Sequence, residues 1–168
     1  MAVRKGYVFV YHGTGKGKTT LAVGQGVRAV GEDLSVVMIQ FMDYNNTKET
    51  IPLKKLEPEF RVFRFEKNRP DIDDADPIVK KEIAAEIRNA FNFTKKIMDT
   101  GECDILIMDG ILDAVTEGYI TEEELEDALK KKPSYMDAII TGTNAYDRIC
   151  QQADYVYQIV TEKVLQVD

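Results

Sequence analysis

The sequence has no excess of basic residues. Lys and Arg number 22 against 29 Asp and Glu, giving a formal net charge of −7. A general DNA- or RNA-binding surface needs the opposite balance, so no nucleic acid partner is expected. A local phosphate site remains allowed, because backbone dipoles and one or two lysines hold phosphate whatever the global charge. Long hydrophobic runs are also missing. No stretch approaches the ~18 apolar residues that span a membrane. The start, Met1-Ala2-Val3-Arg4-Lys5, lacks the apolar core of a signal peptide. The expectation is a cytoplasmic protein with no membrane partner. Cysteine is scarce: Cys103 and Cys150 are far apart, fit no metal-ligand spacing and read as free thiols. Repeats, low-complexity segments and evident linkers are absent. The 168 residues therefore read as one domain, 1–168, long enough to bury a sizeable core.

What is present is organised around His12-Gly13-Thr14-Gly15-Lys16-Gly17-Lys18-Thr19-Thr20. An apolar run, Tyr7-Val8-Phe9-Val10-Tyr11, precedes it and a helical pattern, Leu21-Ala22-Val23, follows. Strand, glycine-rich turn, Lys-Thr and helix form the context of a phosphate-binding P-loop. Glycines let backbone N–H groups approach phosphate oxygens without Cβ interference. The helix start adds unsatisfied N–H groups and the positive end of its dipole. Lys18 is expected to reach terminal phosphate oxygens and the Thr19 hydroxyl to face Mg²⁺. The usual pattern has a glycine five positions before Gly17, where this chain has His12, and its glycine falls one later, at Gly13. His12 is either a catalytic imidazole, since that group titrates near neutral pH, or a loop residue packed beside the phosphate cradle.

The rest of the chain alternates strands and helices. Strands are expected at 6–11, 35–41, 60–65, 104–108, 136–141 and 155–160. Helices are expected at 18–30, 77–99, 121–132 and 145–153, with a short one at 51–57 opened by Pro52. Gly31 and Gly101 mark helix ends, Pro77 suits a first turn, and Thr121 with Glu124 forms a capping-box pair. The fold class is α/β, a three-layer P-loop NTPase-like fold with a mainly parallel central sheet of about six strands. Asp71, Asp73, Asp74 and Asp76 read as a solvated loop or helix start rather than a metal site.

A second chemical station is Asp109, at the carboxyl end of the apolar run Ile105-Leu106-Ile107-Met108. Open α/β sheets place ligands at that edge, and an Asp there holds Mg²⁺ in P-loop proteins. Thr141-Gly142-Thr143-Asn144 ends the next strand at the same edge. It either lines the nucleotide site or caps the helix that follows.

Taken in order, these landmarks resemble the P-loop type of ATP:corrinoid adenosyltransferase. That family's loop reads Gly-Asn/Asp-Gly-Lys-Gly-Lys-Thr-Thr, matched by Gly13 to Thr20. Its Arg-Ala-x-Gly turn is similar to Arg28-Ala29-Val30-Gly31, and its Val-x-x-x-Gln-Phe strand to residues 36–41. Its Asp-Leu-x-x-x-Asp strand is similar to Asp104–Asp109, and its Thr-Gly-Arg and Ala-Asp-Leu-Val segments to Ile140-Thr141-Gly142 and Ala153-Asp154-Tyr155-Val156. The resemblance implies transfer of the 5′-deoxyadenosyl group of ATP to cobalt(I) of a cobalamin- or cobinamide-type corrinoid, with tripolyphosphate released. ATP would lie reversed in the loop. It further implies ATP contacts at Gly13, Thr14, Gly15, Lys16, Gly17, Lys18, Thr19, Thr20 and Arg28, and Mg²⁺ or Mn²⁺ on Thr19 and Asp109. Lys18 and Asp109 would be catalytic, Phe63 and Phe65 would lie near the corrin, a flavoprotein would be the reductant, and the enzyme would be a homodimer.

The chain departs from that pattern at three places in the site. Gly110 stands where the family has Glu after the strand-ending Asp. Thr143 replaces the Arg of Thr-Gly-Arg, and Met42-Asp43 replaces Lys-Gly. The family's Lys-His-Pro segment after the last strand has no counterpart here. Two other readings stay open. One is an ATP- or corrinoid-binding paralogue that has lost the reaction. The other is a P-loop NTPase or phosphotransferase acting at the γ-phosphate.

Overall fold

The structure, a computed structural model, describes residues 2–42, 48–67, 69 and 76–166. In chain order its elements are β1 (Val8–His12), α1 (Lys18–Gly31), β2 (Val36–Gln40), β3 (Phe60–Arg64), α2 (Pro77–Thr100), β4 (Ile105–Asp109), α3 (Ile111–Thr116), α4 (Glu122–Lys130), β5 (Asp137–Gly142), α5 (Asp147–Gln152) and β6 (Tyr155–Gln158). Short 3₁₀ turns occupy Lys48–Thr50 and Pro52–Leu56.

The strands form one sheet in the order β3-β2-β4-β5-β1-β6, with every pairing parallel. Parallel neighbours need crossover connections; α-helices supply them except between β2 and β3, where the described part of the connection holds the two 3₁₀ turns. All residues of β2, β4 and β5 are buried, which explains why these strands read as nearly unbroken apolar runs. Their side chains alternate between two cores. Val37, Ile39, Leu106, Met108, Ala138 and Ile140 join apolar residues of α2, α3, α4 and α5 on one face. Val36, Met38, Ile105, Ile107 and Ile139 join Ala22, Val23 and Ala29 of α1 on the other. The result is the expected helix–sheet–helix layering. Gly26 makes the α1 contact close, since a Cβ there would stand 2.5 Å from the Phe60 ring.

After β1 the chain crosses to β2 on one side and returns to the other side of β1 only with β6. The carboxyl end of β1 is thus a switch point, where open α/β sheets bind ligands. Register sets what meets there: Tyr11 pairs with Thr141, His12 with Gly142, and Gln40 with Asp109.

Element ends follow local chemistry. The Asp76 carboxylate caps α2 by accepting from the Ile78 N–H, Pro77 is its first residue, and Gly101 closes it at φ 66°. Of the acidic residues before α2, Asp76 is therefore a helix cap, while Asp71, Asp73 and Asp74 lie outside the described residues. The capping box at Thr121 and Glu124 opens α4. Three expectations shift. Gly31 is the last residue of α1, and the left-handed residue beyond it is Asp33, at φ 61°. The 51–57 segment is a 3₁₀ turn over Pro52–Leu56. The sequence reading also missed α3. Its six residues are too few to show periodicity, and packing of Ile111, Leu112 and Ala114 holds it. No helix among the described residues is long and apolar enough to cross a membrane.

Candidate phosphate-binding site

Residues 13–17 link β1 to α1. Gly13 and Gly17 adopt φ of 120° and 105°, backbone that side-chain-bearing residues avoid. The Gly13 N–H donates to the Thr143 carbonyl and the Gly15 N–H to the Ile159 carbonyl, each at 2.9 Å. The loop is therefore strapped between the ends of β5 and β6. Gly17 is the N-cap of α1, no side chain caps that helix, and its first turn carries no acidic residue. By contrast, α2 and α4 are capped by Asp76 and Thr121. The leading N–H groups of α1 and its positive dipole end thus border a cavity of about 630 Å³ without a protein anion fixed on them as a cap.

Three side chains arch over this loop or fix its far wall. Lys18 Nζ donates to the carbonyls of Gly13 and Gly15 at 2.7 and 2.8 Å. Thr19 Oγ1 donates to the Asp109 carboxylate, at 2.9 Å to Oδ1 and 3.1 Å to Oδ2. Thr141 Oγ1 donates to Asp109 Oδ1 at 2.7 Å and accepts the Gly110 N–H at 2.8 Å. On the cavity rim, Thr20 Oγ1 donates to Glu49 Oε1 at 2.7 Å. Hydrogen bonds from its own backbone N–H and from Thr20 hold the Glu49 carboxyl below the usual range. Asp113 Oδ1 accepts the Thr143 N–H at 2.8 Å.

The Thr19 hydroxyl and the Asp109 carboxylate are hard oxygen donors, adjacent and beside the glycine loop. That donor set suits Mg²⁺ or Mn²⁺. Among the described residues, no group of three or more His, Cys, Asp or Glu forms a self-sufficient cage.

Thr14, Gly15, Lys16, Gly17, Lys18, Thr19, Thr20 and Asp109 all line the cavity, and Gly13 backs it. Arg28 is not among them. It lies ten residues along α1 from Lys18, about 15 Å at the helical rise. There it is exposed, pairs with Glu32 at 3.4 Å, and borders a second cavity of about 870 Å³. The two cavities adjoin at Gly17 and Thr20. Phe63 and Phe65 cluster with Phe93 of α2, at ring separations of 4.7 and 5.5 Å. They sit at the β3 edge, four strand spacings and so about 19 Å from β1. His12 ends β1, and its carbonyl accepts the Ile159 N–H at 2.7 Å. The residues around 141–144 do not cap α5, whose N-cap is Tyr146 without a side-chain bond. Instead Thr141 turns to Asp109, a contact that its Thr-Gly strand end hinted at but only register reveals. Glu49 had no such signal, because it reaches the site from the loop after β2.

Fold and loop together define a class: an α/β protein of the P-loop NTPase-like kind, its glycine loop between the first strand and an uncapped helix. Within that class the chain belongs to one family. The profile described as ATP:corrinoid adenosyltransferase BtuR/CobO/CobP matches residues 4–165. The chain is 29% identical to the corrinoid adenosyltransferase of Escherichia coli K12 over 162 residues, covering 92% of this chain and 76% of that one. Identity and coverage are the same for the corrinoid adenosyltransferase CobA of Salmonella typhimurium LT2. The corrinoid adenosyltransferase of Pseudomonas aeruginosa is 22% identical over 92% of this chain and 75% of its own.

Proposed function

We propose that this protein transfers the 5′-deoxyadenosyl group of ATP to cobalt(I) of a reduced corrinoid and releases tripolyphosphate. Family membership supports the reaction class. One structural observation supports the triphosphate site most directly. The glycine loop leads into α1, which has no side-chain cap and no acidic first turn, and Lys18 and Lys16 stand on the same cavity.

In this reading the cobalt(I) electron pair attacks the 5′-carbon of ATP. A cobalt–carbon bond forms as the carbon–oxygen bond to the α-phosphate breaks, and the electrons leave on tripolyphosphate. The protein supplies alignment, which can account for much of such a barrier, and stabilises the leaving charge. The amides of the 13–20 loop hold the phosphate oxygens. Lys18 swings from the Gly13 and Gly15 carbonyls onto them, and Lys16 adds a second cation. Thr19 and Asp109 hold Mg²⁺ or Mn²⁺, which when bound neutralises charge on the triphosphate. Arg28 meets the nucleotide from the adjoining α1-side cavity. Phe63 and Phe65 offer the corrin an apolar edge that excludes water. A flavoprotein is the proposed reductant, a homodimer the proposed assembly and the cytoplasm the proposed location.

The test is an anaerobic reaction with ATP, Mg²⁺ and chemically reduced cob(I)alamin, following corrinoid spectrum and phosphate products together. Adenosylcobalamin with tripolyphosphate is expected. ADP as product would replace this reading with phosphoryl transfer. Gly110 favours a second reading, a binding paralogue without turnover. Its φ of 78° and a Cβ position 2.9 Å from the Met42 carbonyl leave no room for the family's Glu in this backbone. Tight ATP binding with no adenosylcorrinoid would establish it.

A further inference from the structure

We infer that Thr141 is a positioning residue for metal-bound nucleotide, acting through Asp109. The inference rests on the proposed P-loop reading and extends it to a side chain outside the loop. Thr141 is on β5, the strand between β1, which launches the phosphate loop, and β4, which ends in Asp109. It is 2% exposed, and Asp109 is 4% exposed.

The hydrogen-bond directions are fixed by chemistry. The Gly110 N–H can only donate, so at 2.8 Å it takes a lone pair of Thr141 Oγ1. The Thr141 O–H is thereby left to donate, and it does so to Asp109 Oδ1 at 2.7 Å. A carboxylate accepting a buried O–H is held in one rotamer, and the same hydroxyl holds the turn that follows β4. Thr19 also donates to Asp109. A cation would take a lone pair of the Thr19 oxygen and leave its O–H on Asp109, but Thr19 belongs to the glycine loop and its α1 turn, which a bound nucleotide must engage. Thr141 lies on a buried strand outside that loop. It keeps Asp109 aimed at the cavity independently of the loop, so metal capture costs less reorganisation.

The position demands an oxygen with both donor and acceptor capacity. Val would match the shape of Thr but strand the buried Gly110 N–H and remove a donor from Asp109. Ser would restore both bonds.

The experiment measures ATP binding calorimetrically in EDTA and across a Mg²⁺ titration, for wild type, Thr141→Val, Thr141→Ser and Asp109→Asn, and for Thr141→Val combined with Asp109→Asn. Thr141→Val should raise half-saturating Mg²⁺ about 10-fold while ATP affinity in EDTA stays at the wild-type value. Thr141→Ser should restore the wild-type titration. In the Asp109→Asn background, Thr141→Val should add nothing further. An unchanged Mg²⁺ titration in folded Thr141→Val would overturn the inference, as would full additivity in the double variant. If Thr141→Val does not fold, Thr141→Ala replaces it, and unfolding of both would make the hydroxyl a fold contact and also overturn the role. Wild type that binds no ATP, or binds it without regard to Mg²⁺, would instead sink the underlying P-loop reading.

Discussion

Thr19 and Asp109 are 90 positions apart in the chain, yet the Thr19 hydroxyl lies 2.9 Å from the Asp109 carboxylate. One strand, β5, separates β1 from β4 in the sheet, so the two backbones stand about 10 Å apart. The glycine loop arches over β5 and delivers the first turn of α1 to the end of β4. The contact closes one wall of the cavity beside the glycine loop, and it depends on both the loop's shape and the strand order.

Asp109→Asn should keep a hydrogen-bond acceptor for Thr19 and Thr141 but lose the charge. Half-saturating Mg²⁺ for ATP binding is expected to rise by about 10-fold or more, while affinity in EDTA changes little. Identical metal titrations for the variant and wild type would leave Asp109 a turn residue.

Lys18→Ala removes the cation bridging the Gly13 and Gly15 carbonyls. ATP affinity should fall at least about 10-fold, or about 1.4 kcal/mol, since charged hydrogen bonds to phosphate are the stronger kind. Melting of the nucleotide-free protein should move far less. Unchanged ATP affinity by calorimetry would remove the P-loop assignment.

Gly110→Glu would write the family's carboxylate into this chain. Its Cβ would enter left-handed backbone at φ 78°, 2.9 Å from the Met42 carbonyl oxygen. The expected cost is about 1–3 kcal/mol of folding stability, read as a lower urea midpoint. A variant as stable as wild type would mean that the 42–110 contact yields easily.

Acid sensitivity should trace to Glu124. Bonds from the Arg88 guanidinium and then from the Thr121 N–H hold its carboxyl at about 2, against a model-compound 4.5. A depressed folded-state value stabilises above the unfolded value and is lost as pH falls through the folded one. The loss should therefore fall between about pH 4.5 and 2. Urea midpoints across that window should decline more steeply for wild type than for Glu124→Gln. Parallel declines would show that the pair, which is partly exposed, contributes too little to detect.

The chemistry-bearing loop was legible because it is local. Gly13 to Thr20 occupy consecutive positions, and both glycine conformation and helix-start polarity are encoded there. The buried strands were legible from unbroken apolar runs, and α2 and α4 from caps at Asp76 and Thr121. What escaped was nonlocal or short: α3, whose six residues show no period, and Glu49, which approaches Thr20 from a different loop. Thr141 was seen as a strand end, but not as the partner of Asp109. Arg28 shares the family pattern yet stands ten residues along α1 from Lys18 and lines the adjoining cavity instead.

By itself, then, the sequence determined most of the element types, the parallel α/β class and a glycine-rich turn between the first strand and helix. Each follows from side-chain periodicity or backbone freedom within a few consecutive residues. Only the tertiary structure decided the strand order and register that bring Thr19, Asp109 and Thr141 together. Those contacts join β1, β4 and β5, and parallel strands meet only after the intervening helices have packed on both faces of the sheet.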